Sequence, residues 1–146
     1  KPSSPTRLNT QTDTLIHTLR ITIMNAENYV KAFQGIMGVY GLQFLLVPKK
    51  IHEDHFDSPA TPMIKFWARG SSCAWLGLAY AVGEMPTAAA AKLCAIVSAG
   101  CALLYPFNAK FNLTGDTGNT VKYPMHYVPE VLMSVLTISG IVVNMN

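Results

Sequence analysis

The stretch Ala88-Ala89-Ala90-Ala91-Lys92-Leu93-Cys94-Ala95-Ile96-Val97-Ser98-Ala99-Gly100-Cys101-Ala102-Leu103-Leu104-Tyr105-Pro106-Phe107 decides how this chain is read. Wound as a helix, it puts apolar residues on every face and leaves only Lys92 and Ser98 as polar interruptions. A helix on the surface of a soluble bundle keeps a polar face opposite its apolar stripe, and this one has none. It reads as a helix solvated by lipid, long enough at about 1.5 Å per residue to cross a hydrocarbon core of roughly 30 Å.

Three more apolar stretches lie on either side, at residues 32–48, 66–83 and 128–143. The last reaches only about 24 Å at the helical rise and needs flanking residues such as His126, Tyr127 and Asn144 to cross. The expected architecture is all-α: an integral membrane four-helix bundle forming one domain over residues 15–146. Composition agrees, with 50% apolar and 13% charged residues against about 25% charged in soluble domains. Trp67, Tyr105, Tyr123 and Tyr127 fall near the span ends, where amphipathic rings favour the headgroup layer.

Residues 1–14, rich in Ser, Thr, Pro and Asn, carry no apolar period and are expected to be a polar tail. Leu15, Ile16, Leu19, Ile23 and Met24 then recur at helical spacing, which predicts a short amphipathic helix at the membrane surface or an extension of the first span. The printed chain opens on Lys1, as expected of a processed organelle protein or of a truncated chain.

The link Glu84-Met85-Pro86 is so short that the second and third spans should form a tight hairpin, with Pro86 in the first helical turn. The first and third connections then share the opposite side, which carries Lys49, Lys50, Lys65, Lys110 and Lys122, with Arg69 just inside. The positive-inside rule places that side toward cytoplasm, stroma or matrix.

Few residues look chemical. Arg69 and Glu130 each lie one turn inside a span on the same side, and a charge in lipid costs about 3 kcal/mol on insertion scales, so an ion pair between them is expected. Glu84 and Lys92 form a second polar pair around the short link, with Glu84 read as a cap near the positive end of the third helix. The run from Lys49 to Asp57 holds His52, His55 and three acids, but without matching ligands elsewhere it reads as a solvated loop, and no metal is expected. Cys73, Cys94 and Cys101 lack CxxC spacing and read as buried small apolar residues.

No Gly-rich phosphate loop, HExxH or nucleophile with a base at usable spacing appears, so the expectation is a non-catalytic protein. The eleven Lys and Arg residues never form a basic run, which argues against nucleic acid. Gly35, Gly38 and Gly41 on the first span, Ala74, Gly77 and Ala81 on the second, and Ala91, Ala95 and Ala99 on the third are spaced for close helix contact, within the unit or with partner subunits. Gln34, Gln43, Glu84, Asn108 and His126 lie in or at the ends of spans and are the candidate axial ligands should chlorophyll be present.

Gly38-Val39-Tyr40-Gly41-Leu42-Gln43-Phe44-Leu45-Leu46-Val47-Pro48, followed by Phe66-Trp67-Ala68-Arg69-Gly70 opening a second apolar helix, resembles small four-helix DoxX-like membrane proteins. It also resembles plastid-lineage algal accessory subunits of photosystem I. The second resemblance implies a thylakoid subunit between photosystem core and antenna, in contact with other membrane subunits and lipid and holding chlorophyll or carotenoid. A supernumerary subunit of a mitochondrial inner-membrane complex shares every compositional feature. A free-standing DoxX-like transporter or redox protein, using Arg69, Glu130 and Cys73, is the rival from another class.

Overall fold

A computed structural model describes residues 25–115 and 120–145. The tail and the amphipathic segment expected at residues 15–24 lie outside them. The described residues are helical, apart from turns and one isolated antiparallel bridge between Phe56 and Val121. Helix α1 is Ala26–Leu46, α2 Pro48–His55, α3 Pro62–Glu84, α4 Thr87–Phe111 and α5 Tyr127–Met145.

The helix ends follow local chemistry. Asn25 caps α1 by accepting from the Asn28 amide at 2.8 Å, and Thr61 caps α3 by accepting from the Ile64 amide at 3.2 Å. These bonds satisfy donors that the first helical turn cannot use itself. Pro48 and Pro62 stand at the starts of α2 and α3, where proline's missing N–H costs nothing. Pro106 lies inside α4, and the chain absorbs it by widening to a π-helical turn over Leu103–Phe107 before resuming α-helix at Asn108–Phe111. The helix thus runs four residues beyond the apolar stretch that announced it. It closes at Asn112, in the left-handed conformation with its amide bonded to the Asn108 carbonyl at 2.7 Å.

Packing is uneven. Helix α1 lies along α3, α4 lies along α5, and the buried face of α1 joins the two pairs. That face consists of Tyr29, Phe33 and Met37, at i, i+4 and i+8, meeting Cys94 and Ala91 of α4 and Met133 and Leu136 of α5. The link between α3 and α4 is as short as the sequence indicates, but these two helices hardly touch, because α1 is the common neighbour. The expected tight hairpin is therefore splayed, and Pro86 is the N-cap of α4 instead of a first-turn residue.

Unlike a water-soluble bundle, this one is apolar outside as well as in its core. Ser72, Ser98, His126 and Glu130 are buried, whereas Ile96, Leu104, Ile138 and Ile141 are exposed. Only 28% of the most apolar window of α4, and 28% of that of α5, is buried within the molecule. Such an apolar exterior requires lipid or partner helices.

Among the described residues two helices, α4 and α5, are long and apolar enough to cross a membrane, and α1 with α2 makes a third if that pair, bent by 108°, counts as one span. Helix α3 has the length, at 23 residues, but Lys65, Arg69, Ser71 and Ser72 dilute its hydropathy. The four-span expectation thus resolves into a helical unit with two or three helices of spanning character.

Candidate functional site

A cluster of polar and aromatic groups lies at the end where α2, the last turns of α4 and the start of α5 meet. Two connections are stitched together there: the Asp57 amide donates to the Thr120 carbonyl at 2.8 Å, and the Lys122 amide to the His55 carbonyl at 2.8 Å. The first and third connections therefore share one end of the molecule. Part of the first, expected as a solvated loop, is the helix α2, and its last residue His55 is buried.

Glu130 sits in the first turn of α5, 8% exposed, and accepts from Lys110 Nζ at 2.9 Å and from the Tyr123 hydroxyl at 2.9 Å. The helix dipole favours a carboxylate there, and the extra turn of α4 beyond the π segment, Asn108–Phe111, brings Lys110 within reach. Outside the spans, the Tyr123 phenol is pushed up, first by burial and then by the bond to Glu130. The expected Arg69–Glu130 pair does not form: Glu130 pairs with Lys110, α3 and α5 are not packed along one another, and Arg69 Nε donates to the Leu45 carbonyl at 3.4 Å. Arg69 instead serves the negative end of α1.

No salt bridge joins Glu84 and Lys92, both of which are exposed, and no side chain caps α4. The backbone explains this, since Pro86 occupies the cap position and supplies no side-chain acceptor. The second expected pair and the Glu84 cap are both corrected.

His126 is fully buried. Its ring is enclosed by Phe56, Tyr105 and Tyr123, at centroid distances of 5.6, 6.0 and 6.1 Å, with His55 at 6.2 Å. Nε2 donates to the Pro106 carbonyl at 3.3 Å, leaving Nδ1 without a partner; His55 Nδ1 donates to the Ile51 carbonyl at 2.8 Å, leaving Nε2 without one. These tautomers follow because a carbonyl only accepts. His52, by contrast, faces Ser58 across 3.0 Å, and burial pushes its imidazole down from the ordinary value. Among the described residues no three His, Cys, Asp or Glu side chains converge as a metal site.

The candidate axial ligands are dispersed. Gln34 donates through Nε2 to the Ala79 carbonyl at 2.9 Å and packs against Gly83, so it ties α1 to α3. Asn108 accepts from the Thr114 amide and hydroxyl at 2.8 and 3.2 Å and is engaged in its own turn. His126 is walled in by rings, and Glu84 stands exposed at the end of α3. Gln43, half-buried in the last turn of α1, makes no side-chain hydrogen bond among the described residues and lies beside the exposed Val39, Leu46 and Val47.

The small-residue stripes divide as well. Gly41 is buried against Leu76 of α3, where an added Cβ would come within 2.9 Å of that side chain; Gly35 and Gly38 have nothing within 4 Å. Ala91, Ala95 and Ala99 are buried or half-buried on α4, and the Asn144 amide group donates to the Ala91 carbonyl at 3.3 Å. Ala74, Gly77 and Ala81 of α3 all face outward. Sequence reasoning missed Gly140, where a Cβ would strike the Tyr29 hydroxyl and lie 2.8 Å from Ala95 Cβ. A small residue in the apolar run of α5, one helical turn from Asn144, was the available signal.

Between α1, α3, α4 and α5 lies a cavity of about 290 Å³, lined by Tyr40, Phe44, Trp75, Tyr105, Pro129 and Met133 among others. Comparison with known proteins finds no matching family, no similar curated protein and no similar solved structure.

Proposed function

We propose that this chain is a non-catalytic accessory transmembrane subunit of a photosynthetic supercomplex, lying between photosystem I and its antenna in the plastid thylakoid. All four long helices then cross or lie within the membrane, α3 with its weaker hydropathy being covered by partner helices as well as lipid. The observation that carries this reading is the exterior of the bundle: apolar side chains on α1, α4 and α5 continue onto a bare stripe of Ala74, Gly77 and Ala81 on α3. Small exposed residues admit close approach of a second helix, and lipid alone does not require them. The resemblance of residues 38–48 and 66–70 to algal photosystem I subunits supplies the particular complex.

Chlorophyll needs one oxygen or nitrogen lone pair at the edge of an apolar face. Of the five candidates Gln43 fits that need best, with an unengaged amide beside exposed aliphatic side chains. When bound, the pigment supplies light absorption; the chain supplies an axial donor and a dry surface.

The test is solubilisation of the native membrane in mild detergent, separation by size, and an absorption spectrum of the fraction that holds this chain. Co-migration with a large green complex supports the proposal, and Gly77→Leu should release the subunit from it while leaving it inserted. Recovery in a large colourless complex moves the assignment to the mitochondrial inner membrane. A small colourless particle overturns the accessory-subunit reading in favour of a free-standing DoxX-like transporter or redox protein.

A further inference from the structure

The cavity between α1, α3, α4 and α5 exists because the helices are splayed. Helix α3 packs on α1 but not on α5, and it barely meets α4, so a gap remains that α1 roofs with Met37, Tyr40 and Phe44. Its other walls are Ser71 and Trp75 of α3, Cys101 and Tyr105 of α4, and Pro129 and Met133 of α5. The gap lies along the line where α3 and α5 fail to meet, on the flank that faces the bilayer when the helices cross it.

Polar atoms in this apolar space are few, and their bonding differs. The Ser71 hydroxyl is spent on its own helix, donating to the Ala68 carbonyl at 2.9 Å. Tyr40 and Tyr105 both line the space, and neither hydroxyl has a hydrogen-bond partner among the described residues. Neither is among the fully enclosed groups without a partner, so both hydroxyls reach accessible space and are free to donate to an acceptor that enters it. The space, about 290 Å³, holds one substituted ring and is too small for a tetrapyrrole.

We propose that this cavity binds the ring of a membrane-borne isoprenoid ketone, its ring carbonyl accepting from Tyr40 and Tyr105 and its chain leaving between α3 and α5 into the lipid. The ring would lie against Trp75 and Phe44, and the ligand would enter sideways from the bilayer. Isoprenoid quinones and carotenoids with keto end rings share this chemistry. The inference stands on the cavity alone and holds whether or not the chain belongs to a photosynthetic complex.

The test uses the full chain in phosphatidylcholine vesicles, with Trp67→Phe so that Trp75 is the sole tryptophan reporter. One arm titrates 2-methyl-1,4-naphthoquinone; the other compares a carotenoid carrying a ketone on each end ring with its oxygen-free hydrocarbon parent. Saturable quenching of Trp75 is expected, with binding about fivefold to tenfold weaker for each of Tyr40→Phe and Tyr105→Phe and abolished by Cys101→Phe, which fills the cavity. Both Tyr→Phe variants should retain the helical signal and unfolding temperature of the parent, because neither hydroxyl is bonded within the protein. Saturation by the quinone alone identifies a quinone site, and saturation by the diketone but not the hydrocarbon identifies a carotenoid site. Quenching that never saturates, is equal for ketone and hydrocarbon, or is untouched by all three substitutions overturns the proposal.

Discussion

At the scale of single residues, charges in this bundle are placed by what lies opposite them. Glu130 is nearly buried, and Lys110 with Tyr123 satisfies its two oxygens. Removing one member of such a buried group leaves the others uncompensated. Since the Lys110 side chain keeps 32% of its exposure, Glu130→Gln should destabilise the detergent-solubilised protein by about 1–3 kcal/mol, read as a lower unfolding temperature. A double-mutant cycle should return coupling for Lys110 with Glu130 and none for Arg69 with Glu130, because Arg69 bonds the Leu45 carbonyl of α1. His52 is a second case. Burial lowers its pKa from the ordinary 6.5, so the folded state binds fewer protons than the unfolded one. Its stabilising effect is therefore complete above that value and is lost as pH falls from there through the lowered folded value. The protection of α2 amides, corrected for the intrinsic pH dependence of exchange, should fall below about pH 6.5, and His52→Asn should flatten that dependence.

Helix α1 is the element that makes the others one unit. Its residues Tyr29, Phe33 and Met37 form the buried stripe, Gly41 admits Leu76 of α3, and Tyr29 fills the space that Gly140 leaves beside Ala95. Gly140→Leu forces the Tyr29 ring or the α4–α5 contact to move and should cost about 1–3 kcal/mol of stability, the usual penalty of overpacking. Gly35→Leu is the contrasting substitution: nothing lies within 4 Å of a Cβ there, so unfolding in detergent should hardly change. A loss of stability with Gly35→Leu equal to that of Gly140→Leu would show that the Gly35 face of α1 is packed inside the bundle. The π turn of α4 is an element-scale device of the same sort. By widening around Pro106 it keeps the helix going far enough to deliver Lys110 to Glu130, and it turns the Pro106 carbonyl toward His126.

For the whole molecule the question is which surfaces meet water, lipid and protein. The connection around Ser58 and that around Thr120 lie at one end, joined by backbone bonds, while Glu84 ends α3 at the short link to α4. If the long helices cross a bilayer, Ser58→Cys and Thr120→Cys should label with a membrane-impermeant maleimide from one face of sealed vesicles, and Glu84→Cys from the other, in a background with Cys73, Cys94 and Cys101 replaced by Ala. Labelling of all three from one face would mean that the helices lie along the membrane instead of through it.

The sequence by itself determined that the chain is helical and meets lipid or other apolar surroundings, because a run such as 88–107 carries no polar face and no arrangement of neighbours creates one. It also showed the short break between the second and third apolar stretches, because Pro86 acts locally and needs no tertiary partner. Which charges pair was decided by tertiary structure alone. Arg69 and Glu130 both sit one turn inside apolar stretches, yet helix order around α1 keeps α3 from α5, and spacing along the chain carries no trace of that order. The same holds for the cavity between those helices and for the dispersal of Gln34, Asn108 and His126 into internal bonds. Each depends on which helix faces turn toward one another, a property of packing across the whole bundle that no single segment encodes.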